Sequence, residues 1–390
     1  MISMKTQIPL SVPFLCGNEW KYVEECLDTG WVSSVGSYVD EFEKKICEVT
    51  GAGYATACVN GTAALHTALL VTGGQAGDEV IVPTVTFIAP VNAVSYIGAR
   101  PVFMDCDEYY NIDVAKTLEF IEQETVFRDG YTYNKTTGRR IAALIAVNVL
   151  GNAVDIELLL PICRERNIQI IEDAAESLGT YYSTGVLDGM HTGTVGDIGC
   201  YSFNGNKIIT TGGGGMIVTN NPYYARRAGY LTAQAKDDAE RYVHNEVGYN
   251  YRMINIQAAI GVAQLERLGE FIANKAANYS VYKEAIDNIC GLHLAEVPPY
   301  ANNNLWMYAL QVEREEYGRG RDELMRWLGQ NGVETRPLWC LNHLQKPYRN
   351  CQSYKIEKAF EFLDKTLFIP CSVNLTSKEI NSVIENLRHG

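Results

Sequence analysis

The sequence lacks several features that would place it in a common functional class. No run reaches the roughly 18 unbroken apolar residues of a membrane-spanning helix. Basic residues are fewer than acidic ones, 33 against 46, and the net charge of -13 disfavours a nucleic-acid-binding surface, which needs a basic face. No internal repeat or low-complexity tract occurs, which disfavours a solenoid or a disordered chain.

The cysteines also lack the spacing of a zinc site. There are 11 of them, an odd number, and none forms a C-x-x-C pair. Most lie in apolar runs, as Cys47, Cys58, Cys163 and Cys200 do, which is typical of reduced, buried thiols. The first residues, MISMKTQIPLSVPF, have no apolar core of a signal peptide. We therefore expect a cytoplasmic protein without a metal, a nucleic-acid partner or a membrane partner.

Short apolar runs alternate with amphipathic stretches through the first two-thirds of the chain. Runs rich in Val and Ile that end in polar residues or glycine predict buried strands. These runs are 79–87, 99–107, 141–151 and 167–175. The amphipathic stretches 114–124 and 156–166 predict helices between them. Such alternation indicates an α/β protein with a mainly parallel sheet covered by helices.

The pattern changes after a long helical stretch at 255–286. Beyond it the chain is more mixed, with turn signals in EVPPYANNN and EREEYGRG. A chain of 390 residues exceeds one compact core, so we expect two domains. We place the boundary near residue 270, which gives a large domain at 1–270 and a smaller one at 271–390.

In open α/β sheets, ligands bind beyond the carboxyl ends of the strands, and one such end precedes a predicted helix. In ACVNGTAALH a short strand leads into Asn60, Gly61 and Thr62. Free N–H groups at a helix start, next to a glycine and a hydroxyl, can bind a phosphate. A plain turn in which Asn60 or Thr62 caps the helix is the alternative.

Acidic residues follow two of the other predicted strands. Asp173 comes directly after a buried run in QIIEDAAES, where a carboxylate can keep a ligand cation protonated. An exposed acid or a cap of the next helix explains the same position. Asp105 and Asp107 are placed alike after another strand, and there we expect capping.

A third strand end carries a lysine before a run of glycines. Lys207 lies in a polar turn of YSFNGNKIITTGGGGM, and the glycines at 212–215 allow the backbone to approach a ligand. The lysine precedes the glycines, so the order of a nucleotide P-loop is absent. A lysine at a strand end with few charged neighbours meets the condition for a Schiff base. A solvated turn is the alternative.

Five strings, in one order, resemble the DegT/DnrJ/StrS family of pyridoxal-phosphate (PLP) sugar aminotransferases. They are CVNGTAALH, PTVTFIAPVNAV, IIEDAAESLG, GDIGCYSFNGNKIITTGGGGM and GYNYRMINIQAA. The resemblance covers nearly the whole chain and is nearest to the LegC-like group, which aminates C4 of nucleotide-linked 4-keto-6-deoxy sugars. It implies aminotransferase fold type I, with a mostly parallel sheet in the large domain and a smaller C-terminal α/β domain.

The resemblance also implies roles around the cofactor ring. Lys207 would hold PLP covalently and then carry the proton between substrate and cofactor. Asp173 would pair with the ring nitrogen, because the protonated ring is the electron sink. Phe87 would cover one ring face. Glu176 stands where many members have Gln near the phenolate oxygen, so its carboxyl would have to share a proton there.

The phosphate site is implied in the same way. Gly61, Thr62 and Ala63 would surround the phosphate, with backbone amides from Thr62 and Ala63, and Ser202 would add a hydroxyl. Asn250 would reach the phosphate from a neighbouring subunit, so the active unit would be a homodimer with shared active sites. A cap of the following helix is the alternative role for Asn250.

The implied substrates are L-glutamate and a nucleotide sugar, with pyridoxamine phosphate as the intermediate form of the cofactor. We expect a UDP-linked 2-acetamido-4-keto-6-deoxy sugar; a GDP- or dTDP-linked 4-keto-6-deoxyhexose, as for perosamine, is the alternative. Arg336 and His343 in TRPLWCLNH are candidate substrate contacts, or a surface arginine and a packing histidine. Asn148 receives no role. A PLP-binding regulatory protein without turnover is the alternative function.

Overall fold

A computed structural model describes residues 7–238 and 240–390 of the chain. The strands are β1 (Tyr54–Cys58), β2 (Glu79–Pro83), β3 (Arg100–Met104), β4 (Thr125–Arg128), β5 (Tyr131–Asn134), β6 (Ile141–Val147), β7 (Gln169–Asp173), β8 (Tyr181–Tyr182), β9 (Ile198–Ser202), β10 (Gly215–Thr219), β11 (Leu292–Leu294), β12 (Ala301–Asn302), β13 (Tyr308–Val312), β14 (Arg336–Pro337), β15 (Ser353–Tyr354) and β16 (Thr366–Ile369). The α-helices are α1 (Glu19–Asp28), α2 (Ser37–Thr50), α3 (Gly61–Val71), α4 (Ala89–Tyr96), α5 (Val114–Gln123), α6 (Leu159–Glu165), α7 (Pro222–Thr232), α8 (Asn255–Leu265), α9 (Leu268–Ile286), α10 (Arg314–Tyr317), α11 (Arg321–Gln330), α12 (Lys358–Lys365) and α13 (Ser377–His389).

The central sheet has eight strands in the order β1-β10-β9-β7-β6-β2-β3-β15. From β9 to β15 all neighbours run parallel. Strand β10 is antiparallel to both of its neighbours, β1 and β9. The predicted α/β class with a mostly parallel sheet is therefore confirmed. Lys207 lies in the connection from β9 to β10, where the chain turns back on itself.

The four predicted strands form β2, β3, β6 and β7 at the centre of this sheet. Strands β2 and β6 are buried along their whole length, as expected for strands with helices on both faces. Strand β6 ends at Val147 instead of continuing to residue 151, because a 3-10 turn forms over Val149–Gly151. Within that turn Leu150 has a φ of 60°.

The C-terminal part carries a second, antiparallel sheet in the order β11-β13-β16-β14. The helical stretch at 255–286 forms two helices, α8 and α9, because Arg267 leaves helical geometry with φ -111° and ψ 0°. A domain boundary near residue 270 stays a prediction. Two segments connect the parts across it: the Ile8 N–H donates to the Gly332 carbonyl at 2.7 Å, and β15 pairs with β3.

The cysteines agree with the expectation of reduced thiols. All 11 cysteines are free; Cys58, Cys163 and Cys200 are buried as expected, whereas Cys47 is half-buried. Within the described residues, no helix has both the length and the apolar character needed to cross a bilayer. The cytoplasmic location stays a prediction.

Candidate active site

A cavity of about 640 Å³ lies at the carboxyl ends of β6, β7 and β9, beside the start of α3. Most of the residues that the sequence singled out line it. They are Gly61, Thr62, Phe87, Asp173, Glu176, Ser202, Lys207 and Arg336. Ala63, Asn250 and His343 are not part of the lining. The parallel strands therefore bring residues from distant parts of the sequence to one site, as open α/β sheets do.

Asp173 is the last residue of β7 and is only 4% exposed. Its Oδ1 accepts the Ala175 N–H at 3.1 Å, and no other described residue donates to the carboxyl. Burial raises the pKa of Asp173 to about 7; Glu176 acts in the same direction, while the Ala175 N–H and Lys207 oppose it. A buried carboxyl with so few donors is poised to stabilise a ligand cation.

Lys207 faces a second buried carboxyl. Its Nζ lies 3.5 Å from Oε1 of Glu176. The other carboxylate oxygen, Oε2, accepts the Leu150 N–H at 2.8 Å. Burial raises the pKa of Glu176, against the opposing effects of Lys207 and the Leu150 N–H. The left-handed turn at Leu150 thus fixes one oxygen of Glu176 and leaves the other facing the lysine amine.

The start of α3 offers the predicted N–H groups, but that of Ala63 is already hydrogen-bonded. The N–H groups of Gly61 and Thr62 lie in the first helical turn, where no intrahelical acceptor exists. Asn60 Oδ1 accepts the Ala63 N–H at 2.8 Å, so Asn60 caps α3, and the phosphate site at this turn stays a prediction. A phosphate that takes the Ala63 N–H must replace this side chain.

Gly61 allows the helix to start close to Ser202. A Cβ at position 61 would lie 2.8 Å from the Ser202 Cβ, which is closer than side chains tolerate. The glycine therefore brings two backbone N–H groups and one hydroxyl to the same corner of the cavity.

Phe87 and Arg336 lie at the cavity, whereas His343 and Asn250 do not line it. Phe87 is 54% exposed, so it has a face free for a ligand. Arg336 pairs with Glu334 at 2.6 Å. His343 Nδ1 hydrogen-bonds the Thr84 hydroxyl at 2.7 Å, and burial lowers the pKa of His343. This placement favours the packing role for His343.

Sequence reasoning missed Trp306 and gave no role to Asn148. Trp306 is 3% exposed, and its ring centroid lies 4.1 Å from Lys207 Nζ. The Asn148 N–H donates to the Asp173 carbonyl at 3.0 Å, and its Oδ1 accepts the Val154 N–H at 3.0 Å. Asn148 therefore holds the chain after β6 against the end of β7. The aromatic residue in NNNLWMYAL was the one available signal for Trp306.

The chain matches a known family along most of its length. Residues 15–388 match the DegT/DnrJ/EryC1/StrS aminotransferase family. This chain belongs to that family. It is a PLP-dependent sugar aminotransferase of nucleotide-sugar biosynthesis, which confirms the expected enzyme class and cofactor.

Relatives and solved structures resemble this aminotransferase over nearly its full length. The GDP-perosamine synthase of Caulobacter vibrioides is 38% identical over 98% of this chain and 97% of that protein. The GDP-perosamine synthase of Escherichia coli O157:H7 is 38% identical over 97% of each chain. A crystal structure of DesI in the presence of its TDP-sugar product has a TM-score of 0.87 and 25% identity, covering 99% of this chain and 93% of that one. The fold of PLP-dependent aminotransferases is thereby confirmed.

The cavity has groups that fit each part of PLP. Asp173 is a buried carboxyl with one donor, suited to a cationic ring nitrogen. The first turn of α3 supplies N–H groups for a phosphate. Lys207 supplies the amine that reacts with an aldehyde. These are the three chemical functions by which PLP is recognised.

Proposed function

We propose that this aminotransferase transfers the amino group of L-glutamate to C4 of a GDP-linked 4-keto-6-deoxyhexose. The observation that carries the proposal is the 38% identity to two GDP-perosamine synthases along nearly the whole chain. It replaces our expectation of a UDP-linked 2-acetamido sugar, because these relatives support the GDP-linked alternative better. A dTDP-linked sugar is the second candidate, supported by the likeness to DesI with its TDP-sugar product.

In this proposal the polar groups of the cavity divide the work. Bound PLP supplies an electron sink for the negative charge that develops at the substrate carbon. Asp173 pairs with the ring nitrogen and holds its proton, because a buried carboxylate favours a cation beside it. Lys207 binds the cofactor through Nζ and, once released, carries the proton to and from the substrate carbon.

The remaining residues orient the cofactor. The N–H groups of Gly61 and Thr62 and the hydroxyl of Ser202 bind the phosphate, and Phe87 covers a ring face. Glu176 would lie beside the phenolate oxygen. Since burial raises the pKa of Glu176, its carboxyl retains a proton more readily than an exposed one and can donate it to that oxygen.

A panel of acceptors tests the sugar specificity. GDP-, dTDP- and UDP-linked 4-keto-6-deoxy sugars are each supplied with L-glutamate, and kcat/KM is measured from the amino-sugar product. We expect a preference for the GDP-linked sugar of about tenfold or more, since a site that hydrogen-bonds one base leaves polar groups unpaired with another. A higher kcat/KM for the UDP-linked 2-acetamido sugar contradicts the proposal.

Reduction of the bound cofactor tests the role of Lys207 separately. Borohydride treatment followed by peptide mapping should place the pyridoxyl adduct on Lys207. An adduct on another lysine contradicts the role, whatever the sugar specificity.

We further propose a homodimer in which Asn250 completes the partner's phosphate site. Asn250 lies on an exposed segment near Val247, which is 79% exposed. Helix α1 and the loop after it expose Trp20, Leu27 and Trp31. Large apolar side chains exposed in one region indicate a protein partner, and a second copy of the chain would cover them.

Complementation tests the shared site. The variants Lys207→Ala and Asn250→Ala should each be inactive, and a mixture that exchanges subunits should regain activity. A mixed dimer combines the intact Lys207 of one chain with the intact Asn250 of the other. Full activity of Asn250→Ala alone, or no recovery in exchanged mixtures, contradicts the shared site.

A further inference from the structure

The indole of Trp306 covers the amine of Lys207. The Lys207 Nζ lies 4.1 Å from the ring centroid, within the range of a cation–π contact. Trp306 is 3% exposed, so the contact is largely shielded from water. The Nε1–H of the indole donates to the Asn206 carbonyl at 2.7 Å. The ring is thus tied to the residue before the lysine that it covers.

Asn304 connects the two groups that face this amine. Its Oδ1 accepts the backbone N–H of Trp306 at 2.9 Å, and its Nδ2 donates to the backbone carbonyl of Glu176 at 2.8 Å. Asn304 is fully buried, and its own N–H donates to the Thr180 hydroxyl at 3.0 Å. One side chain therefore ties together the backbones of the two residues whose side chains face Lys207.

The backbone at 304–306 adopts a conformation that this arrangement requires. Leu305 has a φ of 53°, which is unfavourable for a residue with a branched side chain. Such strain persists where surrounding contacts impose it, and it is common at functional sites. Gly151 allows the turn to pack, because a Cβ there would lie 2.1 Å from Asn304 Oδ1.

We propose that Trp306 is a positioning residue that holds the Lys207 amine between the indole face and the Glu176 carboxyl, and so controls how readily that amine takes and releases a proton. The proposal rests on the proposed function only in that Lys207 carries the proton to and from the substrate carbon. The titratable groups around the amine are Glu176 and Asp173 on the cavity side. Lys275 lines the small cavity that Lys207 and Trp306 also line.

Competitive acetylation of the full-length, cofactor-free protein measures this control without any turnover. Acetic anhydride reacts with the neutral amine, so the pH profile of Lys207 labelling, read by peptide mapping, reports its protonation. Trp306→Leu removes the ring face that favours the ammonium. We expect the profile to move to lower pH by about one unit, equivalent to roughly tenfold more neutral amine at a given pH.

A fluorinated tryptophan at position 306 keeps the shape and the Nε1–H but weakens the negative ring face. It should move the pH profile of Lys207 acetylation in the same direction by a smaller amount. This variant also tests the proposal if Trp306→Leu does not fold. Trp339→Leu is the matched control, because Trp339 lines the same cavity and packs against Phe87. The pH profile of Lys207 acetylation in Trp339→Leu should have the same midpoint as in the wild-type protein.

Two results overturn the proposal. One is an unchanged midpoint with the fluorinated residue. The other is an equal shift with Trp339→Leu, which would indicate a general effect of cavity hydration. Borohydride mapping of Lys207 and the acceptor panel are independent of both results, so failure here leaves the proposed function intact.

Discussion

Two aspartates at the carboxyl ends of strands in the same sheet have opposite surroundings. Asp105 follows β3 and accepts Lys116 Nζ at 2.7 Å and three backbone N–H groups at residues 357–359. Asp173 ends β7 and accepts one N–H, from Ala175. Burial acts to raise the pKa of Asp105, but Lys116 and the N–H groups hold it below its ordinary value. The pKa of Asp173 rises to about 7.

This difference separates an acid that stabilises the fold from one left ready for a ligand. The backbone N–H groups that bind Asp105 belong to the start of α12, so this carboxylate caps a helix that is distant in sequence. It does not cap the next helix in sequence, as we expected, because Asp113 caps α5. A raised pKa alone does not mark the site, since burial also raises the pKa of Asp107 to about 7. Asp107 is bound by the N–H groups of Tyr109 and Asn111 and lies outside the cavity lining.

The largest effect is expected at the acid of the cavity. Asp173→Asn should lower kcat/KM by about a thousandfold, because losing one partner of a buried ion pair costs roughly 4 kcal/mol. Near pH 4, where Asp173 is protonated in the cofactor-free fold, the free energy of unfolding should change little, since the carboxyl has few partners to lose. Steady-state kinetics and urea unfolding check the two halves. A near-native kcat/KM in Asp173→Asn would contradict a role for Asp173 in the site.

The converse change tests the other acid. Asp105→Ala should lower the free energy of unfolding by about 3 kcal/mol, since Lys116 and the N–H groups at the start of α12 lose a buried partner. Activity per folded molecule should stay native, because Asp105 does not line the cavity. Urea unfolding and active-site titration measure both. A stable but inactive variant would contradict the separation of roles.

The two acids should also give opposite pH dependences of stability. The folded pKa of Asp173 lies above its ordinary value of 3.8, so its stabilising effect is present near pH 4 and is lost as the pH rises through 7. The lowered pKa of Asp105 contributes stability at neutral pH that is lost as the pH falls below about 4.

Cofactor-free protein tests this sign. Between pH 5 and 7, Asp173 should reduce the unfolding free energy by about 1 kcal/mol per pH unit. Asp173→Asn should remove that part of the slope, measured by urea unfolding at several pH values. An identical slope in the two proteins would mean that Asp173 does not titrate in this range.

The smallest effect is expected at the start of α3, where we predict the phosphate site. Gly61→Ala places a Cβ against Ser202, so α3 must move away and PLP should bind about tenfold more weakly, equivalent to about 1.4 kcal/mol. Gly229→Ala in α7 is the matched control, because a Cβ there meets open space. Fluorescence titration with PLP compares them. Equal PLP affinities of Gly61→Ala and Gly229→Ala would contradict a phosphate site at the start of α3.

Sequence reasoning found the strand ends but not all of their contacts. Asp173 and Lys207 were predictable because each follows an apolar run in a motif that resembles one family. Trp306 was not, because it lies about a hundred positions beyond Lys207 and meets it only in the folded chain. The helix that Asp105 caps was equally hidden, since its first residues are some 250 positions away.

The sequence by itself determined the alternation of strands and helices and the residue types at the strand ends. Apolar periodicity acts over a few neighbouring residues, so it can be read locally. Only the tertiary structure decided that Asp105 is satisfied, that Asp173 is not, and that Trp306 covers Lys207. Burial and hydrogen-bond donors come from segments that are distant in sequence, and these two quantities set the charge of a carboxyl or an amine.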